Sequence, residues 1–231
     1  AGFNGGAQDL DIVGDLVIDG AISNTSDLNV SGTSDLGANV TTTDTQTYTG
    51  ATTVSVDTTL TTTNSNVTFT GALDADATER DLTINTGGTT GTILMSSVVG
   101  QTNEFDVIAI TGNLDLDANI GADNFGTKGA TSISVSGTSD LGADVTTSGT
   151  QTYTGATTVS VDTTLATTDS NVTFSAALDA DATERDLIIN TGGTTGTILF
   201  DGVVGQTNEF DLITITGNLD LDANIGADNF G

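Results

Sequence analysis

Two short acidic stretches hold the residues best suited to do chemistry. "DADATERD" sets out Asp74, Asp76, Glu79 and Asp81, and recurs as Asp179, Asp181, Glu184 and Asp186. "DLDANIGADN" sets out Asp115, Asp117, Asn119 and Asp123, and recurs as Asp220, Asp222, Asn224 and Asp228. Calcium takes six to eight oxygen ligands from carboxylates, amides and backbone carbonyls, and turns of this composition supply all three. Calcium at these residues is therefore the one cofactor the sequence admits. The second stretch opens like an EF-hand loop, D-x-D-x-N. It then departs from that pattern, with Gly121 one position late and Gly126 where the bidentate Glu belongs. The competing reading is that the acids are solvated turns and outer strand faces, since Asp115 and Asp117 alternate with Leu114 and Leu116. Arg80 and Arg185 are expected to pair with their sequence neighbours Glu79, Asp81, Glu184 and Asp186.

Other chemistry has little to work with. The chain has no His and no Cys, so the usual general bases and nucleophiles are missing and no enzyme is expected. Carboxylate-only sugar cleavage remains conceivable in an acidic protein, but two Tyr, no Trp and three basic residues leave little to grip a sugar. Thirty-one acids against three bases give a formal charge of −28. Such a surface repels nucleic acid and anionic membranes, attracts divalent cations, and suits saline or calcium-rich surroundings. No apolar run is long enough for a membrane helix.

The elements that must position these acids are read from patterning. The 231 residues contain 29 Gly and no Pro. Pro cannot donate to a β-ladder, so its absence fits a chain in which most segments pair on both sides, with Gly, Asn and Asp carrying the turns. Hydrophobic residues make up only 35% of the chain and fall in short alternating runs of Val, Ile, Leu and Phe, which suggests a thin core.

Internal repetition decides the architecture. Val30–Gly126 aligns with Val135–Gly231 without a gap, and 13 of the 97 positions differ. Thr83 becomes Ile188 while its neighbours Leu82 and Ile84 are unchanged in kind, as a strand with one buried face would allow. A finer period shows in strand-ending phrases such as "NVSG", "TYTG", "VTFTG", "LTINTG" and "IAITG", which average about 21 residues. Short strands at this period predict an all-β fold: a parallel β-helix, or β-solenoid, with about 21 residues per coil. About eleven coils stacked roughly 4.8 Å apart would make a rod of about 50 Å. Right-handed crossovers are the general preference. The expected organisation is residues 1–29 as N-terminal docking or capping strands, 30–134 as the first repeat unit and 135–231 as a second, incomplete one. Uncovered end strands are templates for pairing, so end-to-end self-association, or continuation into further repeats, is the expected partnership.

The stretch "QTYTGATTVSVDTTLTTTNSNVTFTGALDADATERDLTINTGGTTG" resembles the repeats of filamentous-haemagglutinin-like bacterial surface adhesins. The similarity covers residues 46–91 and 151–196, less than half of the chain. It implies a right-handed parallel β-helix, export to the cell surface, and a role in adhesion or matrix building. A second stretch, "GDLVIDGAISNTSDLNVSGTSDLGA" (residues 14–38), is similar to the shafts of trimeric phage tail fibres. The function expected is thus structural: a repeat segment of an extracellular or cell-surface fibre. The alternatives are an adhesin module that grips a glycan or host receptor, which exposed aromatics would favour, and a trimeric phage-type shaft.

Overall fold

The computed structural model describes residues 2–88, 90–121 and 129–226. All their regular structure is β-strand, 26 strands in chain order, and every pairing between strands is parallel. The chain winds as a three-faced solenoid of about ten turns. Most strands are only three or four residues long and bury alternate residues, the first and third in the majority and the second and fourth in Thr92–Met95, Asn113–Leu116 and Thr197–Phe200. Side chains alternate along a strand, so each face gives two residues to the interior before a turn of Gly, Asn, Asp or Ser redirects the chain.

Face one stacks β2 (Leu16–Ile18), β4 (Ser34–Leu36), β7 (Thr52–Val54), β10 (Leu73–Ala75), single bridges at Val99 and Ile120, β17 (Val145–Thr146), β20 (Thr163–Ala166), β23 (Asp186–Asn190) and β25 (Leu212–Thr216). Face two begins with the first residues of two bent strands, β1 (Phe3–Ile12) and β3 (Ile22–Val30). It continues with β5 (Val40–Thr42), β8 (Thr58–Thr61), β11 (Leu82–Asn85), β13 (Phe105–Thr111), β15 (Ala130–Val135), β18 (Gln151–Tyr153), β21 (Val172–Phe174), β24 (Thr197–Phe200) and β26 (Asn218–Leu221). Face three takes the last residues of β1 and β3, then β6 (Gln46–Tyr48), β9 (Val67–Phe69), β12 (Thr92–Met95), β14 (Asn113–Leu116), β16 (Ser139–Leu141), β19 (Thr157–Val159), β22 (Leu178–Ala180) and bridges at Val204 and Ile225. The positions 29/30 and 134/135, where the sequence repeat begins, fall inside β3 and β15, so the stack runs through them unbroken.

The expected coil period holds, but the sequence repeat is not a whole number of coils. Five full turns on face three carry Leu28 through Gln46, Val67, Ile93 and Leu114 to Ser139. The copy of Leu28 in the sequence is Ile133, which lies on face two, one face short of Ser139. Every strand of the second copy therefore lies one face away from its counterpart: β6 is on face three and its copy β18 on face two, while β4 is on face one and its copy β16 on face three. The five coils expected in each unit are four and two-thirds. The same passage pairs in the same register on different faces because a short strand sees only the strand below, the strand above and the thin interior.

The interior is apolar at its centre. Tyr48 stacks on Phe69 with ring centroids 5.2 Å apart, and their copies Tyr153 and Phe174 stack at 5.1 Å, with Phe200 continuing the column at 5.7 Å. Met95 holds the place of Phe200 in the first copy, over Phe69. The corners of the interior are polar, which the thin-column expectation did not foresee. Thr42, Thr62 and Thr86 are buried and donate to the carbonyls of Asp44, Ser65 and Gly91; Thr147, Thr167 and Thr191 do the same to Gly149, Ser170 and Gly196. A buried threonine thus closes each of these turns, which gives some of the recurring threonines a structural role.

Candidate functional site

The acids of the two stretches sit at corners and on outer strand faces, and the local hydrogen bonding shows what most of them do. Asp74, in the middle of β10, accepts from the backbone N–H of Thr102 one coil on at 2.9 Å, and Asp179 accepts from Thr207 at 2.9 Å. Asn119 accepts from the Asp144 amide at 3.0 Å. The device recurs at residues the sequence reading did not single out: Asp15 accepts from the Thr33 amide, Asp27 from Thr45, Asn39 from Thr59, Asn66 from Thr92 and Asn113 from Thr138. Each is a side-chain clasp between successive coils, to an amide in a turn or, at Thr59 and Thr92, in the first half of a strand. The signal available in the sequence was an Asx residue 18 to 28 positions before a turn residue, invisible until the coil lengths are known.

Arg80 pairs with Asp76 at 2.8 Å, and Arg185 with Asp181 at 2.7 Å. This corrects the expectation that the arginines would pair with their immediate neighbours. In each turn the Asp76 or Asp181 carboxylate also accepts from the backbone amide two residues on, Thr78 or Thr183, which fixes it as the arginine's acceptor. The guanidinium first, then that amide, hold both carboxyls below the usual range. Asp81 is pushed the other way, by partial burial and then by Asp57 and Asp106 nearby. One of its carboxylate oxygens is buried without a hydrogen-bond partner.

Asp115 lies on the outer side of β14, stacked on Leu94 and under Asp140. Burial, then Asp117 and Asp140, raise its pKa. Asp117 is exposed just beyond the strand, as the alternation with Leu114 and Leu116 anticipates. Asp220, Asp222 and Asn224 occupy the matching places in the last described coil, and the two acids are exposed, as is Glu79. Asp123 and Asp228 lie outside the described residues. Among the described residues no three acidic side chains converge on a point that could hold one metal ion. The candidates are spread over different corners of the rod and do not form a common ligand shell.

The second candidate surface is the coil that ends the described stack. Leu212 is 54% exposed, Leu219 46%, Leu221 43% and Ile225 52%. In the first copy the counterparts of the last three, Leu114, Leu116 and Ile120, are at most 2% exposed. At the other end Phe3, Val13 and Val17 are exposed. Elsewhere the aromatic side chains point inward: Tyr48, Tyr153, Phe69, Phe105, Phe174 and Phe200 are all buried. Comparison with known proteins gave no match to a family profile, a curated protein or a solved structure.

Proposed function

We propose that this chain is a structural repeat segment, the shaft of an extracellular or cell-surface fibre. The observation that carries this reading is the unbroken parallel stack of about ten turns, which runs through the sequence-repeat boundary with the same pairing register on a rotated face. A fold of this kind grows by adding coils, and each added coil lengthens the rod without requiring a new core. Length is then the property that duplication changes, and length is mechanical.

The likeness to filamentous-haemagglutinin-like repeats supports a surface location. So does a charge of −28, which keeps neighbouring shafts apart and leaves them open to bridging by divalent cations in saline or calcium-rich surroundings. The receptor-gripping alternative has less support, because Phe3 is the only strongly exposed aromatic among the described residues. The trimeric shaft has less support as well, because one chain here closes its own core on three faces.

Electron microscopy and small-angle scattering of the purified chain test the reading. Single-chain rods about 50 Å long are expected from ten turns at roughly 4.8 Å each. A compact particle, or three chains per rod, would overturn it. Immunogold labelling of intact source cells tests the location, with surface label expected and label confined to the interior counting against it.

A further inference from the structure

The internal duplication gives a template for what fits the exposed terminal coil. Its copy, the coil Ile108–Ile120, lies under the coil Ile133–Val145: Ile108 pairs with Ile133, Ile110 with Val135, Leu114 with Ser139, Leu116 with Leu141 and Ile120 with Val145. Ile213, Ile215, Leu219, Leu221 and Ile225 repeat the lower set at the same spacing. A coil built like the upper set stands at the opposite end of the same chain. Leu10, Ile12, Gly14, Leu16, Ile18 and Ile22 match Ile133, Val135, Gly137, Ser139, Leu141 and Val145 position for position, without a gap. This first coil also lies directly beneath Leu28–Val40, the copy of Ile133–Val145, in the same register.

We propose that a second copy of this chain docks its first coil, Leu10–Ile22, onto the exposed coil Ile213–Ile225, turned by one face about the rod axis. Leu10 and Ile12 cover Ile213 and Ile215, Leu16 and Ile18 cover Leu219 and Leu221, and Ile22 covers Ile225. Gly14 lands on Gly217 as Gly137 lands on Gly112, where a side chain would meet backbone: a Cβ on Gly137 would lie 2.4 Å from the Gly112 oxygen. The Asp15 amide meets Asn218 as the Thr138 amide meets Asn113 at 3.0 Å. One strand half must yield. Phe3 and Asn4 of the incoming chain pair beneath its own Ile22 and Ser23, in the layer that Ile225 occupies. Gly6 and Ala7, both at positive φ, already break β1 at this point, and Phe3 is 48% exposed. Release of Phe3–Gly6 therefore accompanies docking. Each docked chain then advances the filament by about 50 Å and a third of a turn.

The inference rests on reading the chain as a shaft, and its test separates the two. The chain has no cysteine. Asp11 and Thr214 face outward at opposite ends of one molecule, so a disulfide in the double variant D11C/T214C can form only between chains. In the proposed register their Cα atoms stand about 4.8 Å apart, within the range a disulfide spans. Mild oxidation is expected to give a ladder of covalent oligomers, and F3S is expected to strengthen that ladder by freeing the strand half that must leave. A ladder from D11C/D220C instead, or a weaker one with F3S, would show docking one face further round, with Phe3 retained at the interface, and would overturn the register. Monomeric rods from both pairs at every concentration would overturn the docking while leaving the shaft reading intact.

Discussion

Gln46 and Gln151 are buried polar side chains held by hydrogen bonds, whereas the buried hydroxyls of Ser34, Thr52 and Ser139 have no partner. Gln151 donates to the carbonyls of Val145 and Ala166 at 3.0 and 2.9 Å, and Tyr153 donates to the Gln151 carboxamide oxygen at 3.3 Å, so one amide joins adjacent coils inside the core. Q151L strands the Tyr153 hydroxyl and takes a donor from the Val145 and Ala166 carbonyls, the second of which keeps the Thr147 amide at 2.9 Å. It is expected to cost about 1–3 kcal/mol in chemical denaturation, and Y153F added to it is expected to recover part of the loss. The acids divide by environment. Asp76 and Asp181 titrate below their ordinary value of 3.8 in the folded chain because of the Arg80 and Arg185 guanidiniums. Their stabilisation is complete above that value and is lost as pH falls beneath it, so D76N/D181N is expected to flatten the acid limb of the stability profile. Asp81 is raised by burial and by neighbouring carboxylates, so its contribution is favourable below 3.8 and is lost as pH climbs. D81N is accordingly expected to raise the denaturation midpoint at pH 7.

At the scale of the strand and its turn, close approach dominates. Gly14, Gly32, Gly50 and Gly71 stack at the corner from face three to face one, and Gly112, Gly137 and Gly155 at the corner from face two to face three. A Cβ on Gly155 would fall 2.2 Å from the Gly137 oxygen, so G155V must separate two coils. Local loss of hydrogen-exchange protection is expected in β16, β18 and β19, with distant coils unchanged. The two copies differ at one such approach. Gly71 and Ser97 of the first become Ala176 and Gly202 of the second, and Gly202 lies so close over Ala176 that a Cβ would meet its backbone at 2.1 Å. In the aromatic column, F174A removes the middle ring between Tyr153 and Phe200 and is expected to cost about 3–5 kcal/mol.

Over the whole molecule, near-neighbour stacking makes length adjustable and charge the main opposing term. Removing residues 30–134 joins Asn29 to Val135 and restores the phrase "NVSG", so the shortened chain is expected to fold as a rod about 22 Å shorter by scattering, which is fourteen faces at roughly 1.6 Å each. A misfolded product would show instead that the two copies are not interchangeable. With 31 acids and three bases the rod repels itself, so its thermal midpoint is expected to rise with added monovalent salt. Calcium bound at particular turns, as first expected for the Asp stretches, would show as stabilisation by calcium beyond that of magnesium at equal ionic strength. Equal effects would assign the acids to clasping and screening.

The sequence by itself determined the class of fold, the repeat and the buried half of most strands. Leu82, Ile84, Leu114 and Leu116 could be placed inside from alternation alone, because the side-chain period of a strand is two whatever surrounds it. Ile188 could be placed outside for the same reason, and it is 40% exposed. The tertiary structure decided what depends on coil length. The steps from Leu28 to Gln46, Val67, Ile93, Leu114 and Ser139 are unequal, and they set which Asp faces which amide. That made Asp74, Asp179 and Asn119 clasps between coils, a role their spacing in sequence does not reveal. Coil length also turned the second copy by a third of a revolution. The sequence repeat records how much chain is copied; only the number of residues spent on each face determines where around the axis the copy begins.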